Sequence, residues 1–155
     1  MSRRSPHDPA WRDKRRLLDV NVLLALIWDQ HIHHHVALTA FAALTGGFAT
    51  TPVTESGLVR LLLTPAVVGR PVTANEALST LRAIRAHTGW RAITDDTALT
   101  DAAIDVRVLT GRRQVTDLHL VDLAARNDCV LATFDAALLA SLAPDDRQHV
   151  DLWCP

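Results

Sequence analysis

The run Arg16-Leu17-Leu18-Asp19-Val20-Asn21-Val22-Leu23-Leu24-Ala25-Leu26-Ile27 sets one carboxylate and one carboxamide two residues apart inside an otherwise apolar segment. Apolar residues on both sides argue for burial, and a buried acid without a partner is costly. The conflict resolves if a short buried strand, residues 16–19, stops at the acid and passes directly into a helix. Asp19 then stands at the carboxyl end of a strand, where open α/β sheets gather their ligands. Asn21 is placed to cap the helix that follows. A plainer reading is that Asp19 only begins a turn, and this segment alone does not separate the two.

Outward from this run, helical and extended patterns alternate. A helix is expected over residues 21–28 and another over 33–44, ended by Gly46-Gly47. Residues 48–51 read as a second strand, and Pro52 suits the first turn of a helix reaching residue 63. Pro65 and Pro71 bracket a loop. Thr73 with Glu76 three residues on forms a capping-box pattern for a helix to residue 87. A third strand is expected over residues 90–94, with Asp95-Asp96 opening a helix over 98–110. Residues 111–114 read as a loop, and Thr116 caps a helix over 117–126. A fourth strand over residues 129–133 turns at Phe134-Asp135 into a short helix to residue 142. Residues 149–152 make a last edge strand. Strands alternating with helices predict a parallel sheet covered on both faces.

The 155 residues suffice for one domain with a full core. A hydrophobic share of 48% with 21% charged residues fits a globular chain. The net charge of −1 is unevenly spread, because residues 1–16 carry six basic side chains against two acids. Residues 1–15 are therefore expected to form a basic flexible arm on a domain of residues 16–155. Such an arm is compatible with nucleic-acid contact, or is simply a solvated terminus. Cys129 and Cys154 make neither a disulfide framework nor a zinc signature. No stretch approaches the roughly 20 apolar residues of a membrane span, and no secretory signal is convincing, so a cytoplasmic protein is expected.

Four acids fall at comparable places on this map. Asp19 ends the first strand, Glu55 lies early in the helix after the second, Asp117 starts the helix before the fourth, and Asp135 follows that fourth strand. Right-handed crossovers bring the ends of the first and fourth strands to one edge. Carboxylates meeting there repel one another unless a cation is present, and a set of hard oxygen ligands selects Mg²⁺ or Mn²⁺ over zinc.

Leu18-Asp19-Val20-Asn21, Thr54-Glu55, Val115-Thr116-Asp117-Leu118-His119-Leu120 and Leu131-Ala132-Thr133-Phe134-Asp135, in that order, resemble a PIN-domain ribonuclease, in particular a VapC-type toxin of a toxin–antitoxin pair. The resemblance covers about residues 17–152. It implies a three-layer α/β/α fold with a central, mostly parallel sheet of four or five strands. It also implies a catalytic quartet of Asp19, Glu55, Asp117 and Asp135, with Asp19, Asp117 and Asp135 on the metal. Asn21, Thr116 and Thr133 would support them. The implied activity is Mg²⁺- or Mn²⁺-dependent RNA cleavage leaving a 5′-phosphate and a 3′-hydroxyl. The implied partners are a second copy of the chain, as a homodimer, and a VapB-like antitoxin whose tail crosses the active site.

For the phosphate backbone the best candidates are Arg112 and Arg113, on the loop leading into Asp117, and then Arg60, one turn beyond Glu55. Asp122 lies five residues past Asp117, about 140° around a helix, and is expected on the solvated surface. Asp101 and Asp105 read as an exposed i, i+4 pair. Of His31, His33, His34 and His35, only His31 and His35 have a helical ligand spacing, so the run reads as a solvated junction. His119 is expected to be non-catalytic, and the four tryptophans to be packing residues, with Trp28 a candidate for a dimer or antitoxin surface.

Two phosphoryl-transfer folds of the same class fail, since Lys14 is the only lysine and precedes the first strand. The alternative from a different class is a PIN fold that binds RNA or protein without cutting. Four mutually repelling acids argue against it.

Overall fold

Leu17 and Leu18 are both fully buried, yet they belong to different cores. That is the period-2 alternation of a strand covered on both faces. The computed structural model describes residues 8–154. Its strands are β1 (Arg16–Leu18), β2 (Phe48–Thr50), β3 (Trp90–Ala92), β4 (Val130–Thr133) and β5 (Val150–Leu152). They form one sheet in the order β3-β2-β1-β4-β5, and every pairing is parallel.

Leu18, Phe48 and Ala132 pack against α2 (Val20–Ile27), α4 (Pro52–Leu62) and α6 (Ala74–Arg85), with α3 (His34–Ala42) alongside. Leu17, Ala49, Leu131 and Val150 pack on the other side against α7 (Val115–Arg126) and α8 (Ala136–Ser141). This is the expected three-layer α/β/α architecture. From β1 the sheet grows through β2 to β3 on one side and through β4 to β5 on the other. The carboxyl ends of β1 and β4 therefore flank a topological switch point, where such sheets leave a crevice.

Local signals account for most element ends. Pro52 opens α4, Thr73 and Glu76 close a capping box on α6, and Gly47 adopts a positive φ of 73° just before β2. Asn21 does not cap α2 as expected. Asp19 is the N-cap, its own carboxylate accepting from the Val20 amide at 2.7 Å, and Asn21 is the second residue of the helix. Thr116 likewise lies inside α7, which starts at Val115 and is preceded by a 3₁₀ turn over Arg112–Gln114. Pro65, expected in a loop, begins the four-residue helix α5 (Pro65–Val68).

The largest difference is residues 98–110, where no α-helix forms. Only 3₁₀ turns at Leu99–Asp101 and Val106–Val108 occur, so Asp101 and Asp105 are not a helical pair. Side chains take the amides a helix would use: Ala103 donates to Asp122 and Asp105 to Asp146. The competing carboxylates come from α7 and from beyond α8, so tertiary contacts override the local helix signal.

Of the expected loose arm, residues 1–7 lie outside the described residues. From Asp8 the chain is docked. α1 (Pro9–Arg12) buries Trp11, whose ring stands 4.4 Å beneath the Arg16 guanidinium. Arg16 is itself buried and pairs with Asp151 at 2.8 Å. Arg15 donates to the Gly89 carbonyl at 2.9 Å, and Lys14 pairs with Asp128.

Candidate active site

Thr133, the last residue of β4, organises the crevice. Its hydroxyl donates to Asp19 Oδ2 at 2.7 Å and accepts from Asn21 Nδ2 and from the Asp135 amide, both at 3.2 Å. One donor and two acceptors exhaust a threonine hydroxyl, so its proton is committed to Asp19. Asn21 completes the clasp by accepting from the Phe134 amide at 3.4 Å. Asp135 then caps α8, its Oδ1 accepting from Leu138 at 3.0 Å. The two neighbouring strand ends are thus stitched by side chains 112 and 114 positions apart in sequence.

Asp117 enters from the first turn of α7. Its carboxyl is pushed up to about 6, by burial first and then by the charges of Asp19 and Asp135. Asp19 is raised as well, by burial and secondarily by Asp135, against the hydrogen bonds from Thr133 and Val20. Asp19, Asp117 and Asp135 thus lie near enough to feel one another's charge. Among the described residues none of the three makes an ion pair.

Glu55 is held differently. Its Oε1 accepts from Thr50 Oγ1 at 2.6 Å and from the Arg85 guanidinium at 2.8 Å. Thr50 accepts from Trp90 Nε1 at 2.8 Å, and Arg85 lies 4.4 Å over the Trp90 ring. The fourth acid therefore has its own cation, supplied by the end of α6.

Beside the aspartates runs a groove of about 620 Å³ lined by Val20, Ser56, Gly57, Arg60 and Thr116, among others. Gly57 permits the close approach of α4 to α2, since a Cβ there would meet Val20 Cγ2 at 2.7 Å. Arg60 and Thr116 thus share a groove whose neighbours in sequence are acids of the crevice. Arg112 and Arg113 are exposed just before α7.

Residues 16–143 match the PIN domain family. The chain is 43% identical over 137 residues to Ribonuclease VapC38 of Mycobacterium tuberculosis, covering 88% of this chain and 96% of the relative. Ribonuclease VapC39 of the same organism is 42% identical over 130 residues, 81% of this chain and 91% of the relative. Ribonuclease VapC29 is 38% identical over 122 residues, 79% and 86%. The chain belongs to the PIN-domain family, and to its VapC branch.

A divalent metal ion is the general cofactor of PIN-domain nucleases. The donor set here fits one: three hard carboxylates without an ion pair of their own, two of which, Asp19 and Asp117, are raised by burial and by their acidic neighbours. Among the described residues no trio of His, Cys, Asp and Glu forms a ready-made metal cage. An ion that keeps several of its waters and takes few carboxylates directly suits that spacing.

Other expectations meet their side chains here. Asp122 points away from the crevice, as the helical angle requires, but it is fully buried rather than solvated. It accepts from Ala103 at 2.6 Å, Thr97 at 3.1 Å and Arg126 at 3.1 Å, so the 97–103 segment covers it. His119 pairs with Asp95 at 2.6 Å. In the histidine run, His34 contacts the Ala25 carbonyl at 2.6 Å and His33 stacks on Phe134 at 4.6 Å. Trp11 and Trp153 are core residues. Reasoning from sequence missed Arg85 and Trp90 as Glu55's setting, since no local pattern ties residues 30 or more apart.

Proposed function

We propose that this PIN-domain chain is a Mg²⁺- or Mn²⁺-dependent endoribonuclease, the toxin of a toxin–antitoxin pair acting in the cytoplasm and restrained by a VapB-like antitoxin. The observation that carries the reading is the convergence of Asp19, Asp117 and Asp135 without a protein cation, in a chain whose relatives are named ribonucleases. When bound, a divalent ion lowers the pKa of its water and neutralises charge on the phosphate.

The chain's own residues do the rest. Asp19 and Asp117 are the most direct ligands, with Asp135 completing the set. Thr133 fixes the direction of the Asp19 carboxylate, and Asn21 fixes Thr133. Glu55, whose two hydrogen bonds both fall on Oε1, keeps Oε2 to orient the attacking water. Arg60 in the groove, with Arg112 and Arg113 ahead of α7, holds the sugar–phosphate backbone; such contacts give affinity and position rather than sequence choice. Thr116 forms the wall between groove and crevice. The chain works as a homodimer, and light scattering should give about twice the 17.0 kDa chain mass.

The test is cleavage of total RNA by chelator-treated protein with and without Mg²⁺, beside Asp19→Asn and Asp117→Asn. Fragments bearing 5′-phosphates, produced only by wild type and only with the ion, are expected. RNA binding that survives in EDTA, with no cleavage after Mg²⁺ is restored, would overturn the enzyme assignment.

A further inference from the structure

The four acids of this chain are not equivalent in charge. Asp19, Asp117 and Asp135 press on one another without an ion pair, whereas Glu55 is neutralised at 2.8 Å by Arg85. The pairing is built rather than incidental, because it closes a ring of four side chains from four elements. Thr50, ending β2, donates to Glu55 on α4; Arg85, ending α6, donates to the same Oε1; Trp90, opening β3, donates to Thr50 and stacks under Arg85. The Glu55 side chain is 13% exposed and that of Arg85 44%, so the carboxylate end of the pair is shielded while the guanidinium also meets solvent. The guanidinium is permanently charged and planar, which suits both the carboxylate and the indole face.

We propose that Arg85 is a positioning residue that takes the place of a second metal ion, so that this nuclease operates with one. This rests on the metal-dependent reading above and deepens it. A second divalent ion at Glu55 would have to displace the guanidinium or sit against it, like charge on like charge. The three remaining carboxylates offer enough negative charge for a single divalent ion, and both hydrogen bonds of Glu55 fall on Oε1. Removing Arg85 frees Glu55 to complete a second cation site.

The test counts ions rather than turnovers. Chelator-treated wild type, Arg85→Ala, Arg85→Lys and Glu55→Gln are titrated with Mn²⁺, free ion being followed by electron paramagnetic resonance. Wild type and Arg85→Lys should saturate at one ion per chain, Arg85→Ala should rise to two, and Glu55→Gln should stay at one. Wild type saturating at two or binding none, Arg85→Ala staying at one, or Glu55→Gln losing its ion would each overturn the proposal. Glu55→Gln keeps the question decidable if Arg85→Ala does not fold. A chain that binds one Mn²⁺ yet cuts no RNA would sink the nuclease assignment, whereas one that cuts RNA while binding two would sink this proposal alone.

Discussion

A single hydroxyl, that of Thr133, joins Asp19, Asn21 and Asp135. Thr133→Ala leaves Asp19 buried without its donor and frees Asn21. Metal affinity and cleavage should both drop by about 10- to 100-fold, the usual cost of losing a group that orients a metal ligand. Thr133→Ser should recover most of both. Asp117 makes a different prediction, about pH. Its folded-state pKa of about 6 lies above the ordinary 3.8, so between those values the folded protein binds more protons than the unfolded chain. Stability from this group is therefore present at low pH and lost as pH rises through the window. In chelator, Asp117→Asn should remove that slope and be the more stable protein at pH 7, by on the order of 1 kcal/mol. A denaturation series in which wild type and variant track each other from pH 4 to 7 would contradict this. The aspartates were legible in the sequence because each follows or opens an element; Arg85 was not, because its meeting with Glu55 depends on where α6 ends relative to β2.

The segment over residues 94–110 shows what an element owes to its neighbours. Its Asp and Thr residues read as helix starters, yet Asp95 is paired with His119 and Thr97 donates to Asp122. Asp122 on α7 is the main anchor, fully buried and bonded to Ala103, Thr97 and Arg126. Sequence spacing gave its angle on the helix correctly. Its burial depended on a cover that spacing does not reveal. Asp122→Ala leaves these donors unpaired and should cost about 3 kcal/mol by urea denaturation; a loss under 1 kcal/mol would show the segment to be held by its apolar contacts instead. Elements whose signals are local fared better. The capping box at Thr73 and the proline opening of α4 are formed as their residues indicate, since the groups that satisfy each helix end lie within a few positions.

At the scale of the molecule, a chain of net charge −1 must hold a polyanion, so the few cations near the crevice decide the salt dependence of binding. Much of the N-terminal positive charge is spent on the fold, in Arg16 with Asp151, Lys14 with Asp128 and Arg15 with Gly89. The groove argininine at position 60, Arg60, is exposed. Arg60→Ala should weaken RNA binding across sequences and lower the slope of log affinity against log salt by about one. An unchanged slope would move the RNA track elsewhere. Among the described residues no helix is long and apolar enough to cross a membrane. The parallel sheet could be anticipated from alternating elements but its strand order could not, and the switch point between β1 and β4 is what brings the strand ends carrying Asp19 and Asp135 together. The most direct measurement is anomalous scattering from a crystal of the chain soaked in Mn²⁺: a peak touching Asp19 or Asp117, with Asp135 beside it, is the predicted result. A peak lodged elsewhere, in a protein that still cuts RNA, would contradict the account.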